Sequence, residues 1–474
     1  MRDSSMSSLS GDLPAESVVS KAGPKRRLSV FDSVCIIVGI IIGAGIFETS
    51  PAIASLVPNV PWLVAVWVAG GVFSLVGALC YAELATAIPC EGGDYVFLNR
   101  AYGRYVGFLF AWCELWIVRP ASIGMMAFVF ARYAQALLPI SFASASLPGE
   151  LEQTLPLLVY AAAAVVVLTG INLLGVRQGK WTQNILTVLK VSALVAIVVV
   201  GFFAANPRPP AAASVETPSL NLGVAMVFVL FTYGGWNEMA YVGAEVVNPR
   251  RNIVRSLVLG TLAVTGLYLL VNLAFAAGLG LDGFRQSGAV ASDLLARVLG
   301  PAAGKVIAVV ICIAALGSAN GQIFTGARVY YALGQDHAMF RMLGRWNPNR
   351  DAPIGSLLIQ AAVTLALVIG FGWYNTGFDN LLIFSSPVFW TFFCLTGFSV
   401  VMLRIRRPNL ERPFRVPLGP LFPLAFCGGC AYMIYSCVAY AVKNGTYEAF
   451  WALGALAVGV VAGVVAVWSS RPTT

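Results

Sequence analysis

The chain has 474 residues, of which 58% are hydrophobic and 11% charged, whereas a soluble domain carries roughly 25% charge. An ordinary soluble globular protein is therefore excluded. The formal net charge of +9 does not mark a nucleic-acid binder, because the basic residues fall between apolar runs rather than on one face.

Residues 1–29 are Ser-rich and polar and close on Lys25-Arg26-Arg27, which reads as a disordered cytoplasmic tail rather than a signal peptide. Twelve apolar segments follow, at roughly 31–56, 60–87, 105–138, 155–174, 182–203, 221–245, 253–280, 301–333, 353–371, 377–403, 420–442 and 447–469. With the N-terminus placed inside, 22 of the 30 Lys and Arg fall in cytoplasmic stretches and 6 in outer ones, leaving Arg119 and Lys190 within helices. This bias predicts a multi-pass protein with both termini cytoplasmic. The nine cysteines sit almost entirely in apolar runs and read as small buried hydrophobes, the CxxC of Cys427 and Cys430 included. A single histidine, His337, leaves no material for a histidine triad, metal site or proton relay, and no cofactor or metal is expected.

Two segments are interrupted by glycine. The first carries Ile42-Gly43-Ala44-Gly45-Ile46 and the sixth Tyr233-Gly234-Gly235-Trp236-Asn237, about 190 residues further on. Segments 2 and 7, and 3 and 8, keep nearly the same offset. Five segments is an odd number, so the second copy of such a repeat is inverted in the membrane, and segments 11 and 12 are an appendix. Gly175 to Lys180 is one residue short of a phosphate loop and has Trp181 where Ser or Thr is required. Asn444-Gly445-Thr446 fits a glycosylation acceptor pattern, for which chance is the plainer account.

A glycine pair alone is most often a close helix contact. The same interruption in both halves points instead to a substrate site near the bilayer midplane. Unwound backbone frees N–H groups at the start of one half-helix and C=O groups at the end of the other, and these attract an anion and a cation respectively. A carboxylate and an ammonium on one carbon satisfy both, which describes an α-amino acid. The N–H groups of Ala44, Gly45 and Ile46, in the turn opened by Gly43, would hold the carboxylate. The C=O groups of Ile41, Phe231 and Gly234 would accept from the ammonium. Lys190 lies mid-helix, where an uncompensated ammonium costs roughly 2.5–3.5 kcal/mol, and its partner is either a structural ion pair or part of the mechanism.

Ile41-Ile42-Gly43-Ala44-Gly45-Ile46-Phe47, Tyr81-Ala82-Glu83-Leu84 with Gly92-Gly93-Asp94-Tyr95, Arg119-Pro120-Ala121-Ser122, Tyr233-Gly234-Gly235-Trp236-Asn237 and Gly317-Ser318-Ala319-Asn320-Gly321 occur in one register from about residue 30 to 415. On these motifs the chain resembles the L-type amino acid transporter family of the amino acid-polyamine-organocation superfamily. The resemblance implies an all-α integral membrane protein of twelve transmembrane helices with the LeuT-type 5+5 inverted repeat and discontinuous helices 1 and 6. It divides the chain into the tail, a core at 30–415 holding helices 1–10, and 416–474 with helices 11 and 12 and a short C-terminus.

By the same resemblance, a bundle of helices 1, 2, 6 and 7 moves against a scaffold containing 3, 4, 8 and 9. Phe231 shuts the site from outside, and Trp236 and Asn237 line it. The Lys190 ammonium takes the place where sodium-coupled relatives hold sodium, meeting the C=O of Gly39 or Ile42 and the hydroxyl of Ser318. A tethered charge there implies sodium-independent transport, while a depressed pKa would let the same lysine couple transport to protons. Tyr268 matches a tyrosine that steadies the first half-helix, with plain packing as its alternative. Arg119 and Glu114, five apart, are expected to pair with other helices rather than with each other. Glu238 and Ala44 depart from the family pattern, and Glu238 faces either a vestibule or the pocket, where it would favour a cationic side chain. The loop at 139–154 lacks the cysteine that ties animal members to a glycoprotein partner, so a stand-alone bacterial-type protein is expected.

The leading expectation is a plasma-membrane exchanger of neutral L-amino acids, with membrane lipid and the amino acid as its partners. A proton-coupled symporter of amino acids, including cationic ones, or of polyamines is the alternative. An amino-acid sensor without flux is the reading from another class. No nucleophile and base stand at a usable spacing, so an enzyme is not expected.

Overall fold

The structure is a computed structural model and describes residues 24–142, 149–203, 220–373, 377–444 and 448–469. Residues 1–23 of the tail, 143–148 of the cysteine-free loop at 139–154, Arg208, Arg471 and two residues of the Asn444-Gly445-Thr446 pattern lie outside the described residues. The described chain is helical, with three isolated bridges and no strand.

The first segment starts on a capping box, in which Ser29 Oγ accepts from Asp32 N and the Asp32 carboxylate accepts from Ser29 N at 2.9 Å. It then splits into α1 (Val30–Ile41) and α2 (Gly45–Ser55), bent by 53° at Ile42-Gly43-Ala44. Asn59 caps α3 (Val60–Ala87), whose second residue is Pro61. Gly92 and Gly93, both at positive φ, turn the chain into α4 (Asp94–Tyr102). The next span runs through α5 (Arg104–Cys113), a π-helical turn at Glu114–Val118, and α6 (Arg119–Leu137). Next come α7 (Gly149–Leu173) and α8 (Val176–Phe203), then α9 (Leu222–Thr232) and two 3₁₀ turns, Trp236–Tyr241 and Gly243–Glu245. The remaining helices are α10 (Pro249–Leu279), α11 (Leu281–Gln286), α12 (Val290–Leu299), α13 (Ala303–Asp336), α14 (Ile354–Gly372), α15 (Gly377–Arg406), α16 (Leu421–Asn444) and α17 (Glu448–Ser469).

Each expected apolar segment meets a helix, and the chain is an all-helical membrane protein. Among the described residues nine helices are long and apolar enough to cross a bilayer, or ten with the bent α1–α2 pair. The sixth segment differs most from expectation. After α9 it continues in 3₁₀ turns rather than a second α-helix, because Gly235 at φ 115° turns the backbone out of helical register.

The buried apolar residues form two clusters. One gathers α1, α2, α3, α9 and α10, through residues such as Ile37, Val66, Val229 and Val264. The other gathers α5, α6, α7, α14 and the inner part of α13, through residues such as Phe108, Ile123, Leu168 and Val329. The break in each broken segment faces the seam between them. At the end of the molecule that carries the start of α1, charged pairs tie the helices together. Arg328 meets Glu245 at 2.7 Å, Arg404 Nε donates to Glu83 at 2.8 Å, and Lys180 meets Asp32 at 3.0 Å. Leu28 is fully buried there and forms a parallel bridge with Val246.

Candidate functional site

At the first break, Ile42 N still donates to Val38 O and Gly43 N to Ile41 O, after which the helical ladder stops. It resumes with Phe47 N and Glu48 N on Ala44 O. Among the described residues no backbone carbonyl accepts from the N–H of Ala44, Gly45 or Ile46. Three adjacent donors at a helix start form a concentrated anion-binding edge. Ala44 and Gly45 line a cavity of about 160 Å³, and Ile46 is buried beside them.

The sixth segment meets this edge from the other side. Gly234 N donates to Phe231 O at 3.1 Å, and Phe231 and Gly234 line the same cavity. Tyr268 on α10 joins the two breaks, since its hydroxyl lies 3.0 Å from Ile41 O and 3.4 Å from Thr232 O. The outer halves are tied by Thr49 Oγ1 and Thr232 Oγ1 at 2.8 Å. A Cβ on Gly45 would stand 3.3 Å from Thr232 Cγ2, so the two half-helices approach closely here.

Lys190 projects from α8 to the end of α1 and is 1% exposed. Its ammonium donates to Gly39 O and Ile42 O, both at 2.8 Å, and to Ala314 O on α13 at 2.9 Å. All three of its donors are used. No carboxylate is in this set, so the structural ion pair weighed from the sequence is not formed. Ser318 is not the third partner either. Its hydroxyl donates to Ile40 O at 2.8 Å, one turn of α13 further along, while Ala314 takes the ammonium. Gly317 makes room for this approach, because a Cβ there would lie 2.7 Å from Nζ. Charge-assisted hydrogen bonds are worth about 1.5–3 kcal/mol each, so three of them offset a desolvation penalty of several kcal/mol.

Arg119 and Glu114 do pair, contrary to the expectation from their spacing. Arg119 Nε donates to Glu114 Oε1 at 2.8 Å, and Nη1 meets Glu238 Oε1 at 2.7 Å. The π-helical turn between them is the reason. Its wider i→i+5 winding brings positions five apart onto one face. Glu238 also accepts from Thr325 Oγ1 at 2.6 Å. It borders the cavity with Glu114 and Arg119, and both of its oxygens are engaged.

Trp236 does not line the cavity. It packs edge-on against Tyr81 at 5.2 Å and near Phe393 at 5.1 Å, inside the apolar core. A 3₁₀ turn spaces side chains by a third of a circle, which sends Asn237 to the cavity and Trp236 away from it. Ser122, from the Arg119-Pro120-Ala121-Ser122 motif, also lines the cavity, and residues that no sequence signal singled out complete the wall: Met125 and Met126 on α6, Gln322 on α13, and Ser385, Phe389 and Trp390 on α15. Those on α15 lie in a largely apolar stretch where period and composition do not mark one face.

Beyond Asn237 the polar groups continue. Asn237 Nδ2 lies 3.3 Å from the Tyr241 hydroxyl, which donates to Asp94 Oδ2 at 2.9 Å at the start of α4. Burial pushes the Asp94 carboxyl up to about 8, with Glu114 and Glu238 adding to the shift against the opposing pull of Tyr81 and Tyr241. Glu91, in the loop before α4, is likewise pushed up to about 7 by burial.

Against known proteins, residues 28–462 match the model of the amino acid permease family. The chain is 31% identical to the mouse b(0,+)-type amino acid transporter 1 over 399 residues, covering 83% of this chain and 79% of that one. The human counterpart shows the same identity and coverage. The rat large neutral amino acids transporter small subunit 2 is 30% identical over 425 residues, 86% of this chain and 75% of that protein.

Proposed function

The chain belongs to the amino acid permease family, and from that premise we propose that it exchanges neutral L-amino acids across the plasma membrane without sodium. Amino acid transport is what the family and the similar transporters support. The finer reading is carried by the Lys190 ammonium, held by Gly39 O, Ile42 O and Ala314 O at the end of α1. A fixed cation in that position removes the need for a dissolved one.

The substrate carboxylate is assigned to the free amides of Ala44, Gly45 and Ile46, and its ammonium to the C=O groups of Ile41, Phe231 and Gly234. Side-chain choice falls to Met125, Met126, Phe389 and Trp390, which are apolar and uncharged. Glu238 does not select a cationic side chain in this reading, because Arg119 and Thr325 already satisfy it. The cavity takes walls from both apolar cores, which suits rocking of the α1, α2, α3, α9 and α10 group against the rest about a central site. Twelve crossings in two inverted repeats, a stand-alone protein, Phe231 as the outer lid and a cytoplasmic placement of the basic end complete the proposal. Purified protein in liposomes preloaded with a neutral amino acid should take up labelled neutral amino acid from sodium-free buffer. An absence of uptake under these conditions and under an inward proton gradient would sink it.

A further inference from the structure

The polar groups between the cavity and the basic end are not used by amino-acid binding. Asp94 is 2% exposed, Oδ2 accepts from Tyr241, and Oδ1 is buried with no hydrogen-bond partner among the described residues. It borders a small cavity shared with Glu114, Val118, Tyr241 and Phe389, all four of which also line the substrate cavity. The carboxyl and the substrate site are thus separated by one shared wall of side chains.

The charges around Asp94 are unbalanced. Glu114 and Glu238 share the single guanidinium of Arg119, so an ionised Asp94 would make three anions against one cation. The remaining groups do not relieve this. Arg328 on α13 is engaged by Glu245, and Asp336 accepts from Tyr95 at 2.7 Å. Tyr81 on α3 and Tyr241 face the carboxyl with phenol groups, α15 contributes phenylalanines and Thr396, and Glu91 precedes it with a raised pKa of its own. Arg104 on α5 lies near Tyr95.

Asp94 also sits where the two cores part. Tyr241 packs in one core while Ala240 and Val242 pack in the other. Gly92 N donates to Tyr241 O at 3.1 Å, and Glu91 bridges Val242, so the α4 entry and the 3₁₀ turn are closed on each other. A movement of one core away from the other at the basic end would part these contacts and expose the carboxyl to water.

We propose that Asp94 is a proton-binding site of the transport cycle, in contact with the substrate cavity through Tyr241 and Asn237, filled while the basic end is closed and emptied as it opens. The proton resides on the carboxyl while buried and passes to water on opening, leaving a hydrated carboxylate. No bond to substrate changes. This rests on the permease reading, and makes opening of the basic end easier as pH rises.

The test is exchange of labelled leucine by the full chain in preloaded liposomes, at equal internal and external pH from 6 to 9. Wild type should speed up at least fivefold, with a midpoint near 8. Asp94→Asn should bind leucine but stay near the slow low-pH rate, varying less than twofold across the range. If that variant does not fold, Tyr241→Phe serves. It removes a donor to the carboxylate and should move the midpoint upward. A flat wild-type profile, an Asp94→Asn profile like wild type, or an unmoved midpoint in Tyr241→Phe overturns the proposal. Leucine binding measured separately distinguishes the failures: a wild type that binds no amino acid at any pH refutes the permease reading itself.

Discussion

The Lys190 ammonium and the Ile42 carbonyl lie 2.8 Å apart at the point where α1 ends. The last carbonyls of a helix carry its negative dipole end, so the lysine neutralises a break that would otherwise leave them bare. The same contact holds the unwound turn at whose far side the amides of Ala44, Gly45 and Ile46 are free.

Replacing Lys190 by Met keeps the bulk and removes the charge. Each buried carbonyl left unpaired costs about 1–3 kcal/mol, so exchange should fall roughly tenfold or more while the helical content is retained. Gly317→Ala should reproduce this loss with the lysine intact, because the new Cβ would meet Nζ at 2.7 Å. Uptake assays beside circular dichroism check both. Wild-type turnover in Lys190→Met would remove the lysine from the mechanism.

Gly45→Leu should abolish amino-acid binding. Its Cβ would already stand 3.3 Å from Thr232 Cγ2, so the longer side chain would force apart the two half-helices that frame the free amides. Equilibrium binding of labelled substrate is the measurement, and retained affinity would move the carboxylate elsewhere.

Arg119→Met leaves Glu114 and Glu238 buried together without their cation. Breaking a buried ion pair in this way costs about 3–5 kcal/mol, so the melting temperature in detergent should drop markedly. Adding Glu238→Gln removes one of the two charges and should restore part of the loss. A double variant no more stable than the single one would contradict the shared-guanidinium arrangement.

Stability should fall as pH rises. Asp94 and Glu91 have folded pKa values raised by burial, to about 8 and about 7, so the folded state holds protons that the unfolded chain releases near pH 4. Their contribution is full below pH 4 and is lost on the way to pH 7–8, at about 1.4 kcal/mol per unit for each fully linked group. Above 8 the loss should level off. Thermal melts from pH 5 to 9 test this, and Asp94→Asn should flatten the Asp94 share.

The sequence was most legible where glycine marks the backbone. Gly43, Gly45, Gly234 and Gly235 located both breaks, because a helix that loses its ladder needs residues that tolerate other φ and ψ values. Lys190 was legible from cost alone, as a charge that an apolar segment cannot leave unpaired. Three features were not. The Glu114–Arg119 pair depends on a π turn that does not show in residue spacing. The side toward which Trp236 points depends on the 3₁₀ winding after Gly235. The α15 wall at Ser385, Phe389 and Trp390 comes from tertiary packing of an apolar helix that reads alike on every face.

The account rests on a tethered cation standing in for a dissolved one, and one measurement bears on it most directly. Labelled leucine uptake into liposomes preloaded with unlabelled leucine is compared in sodium buffer and in choline buffer free of sodium. Equal rates in the two, with Lys190→Met depressed in both, are the predicted result. Uptake that appears only with sodium would contradict it.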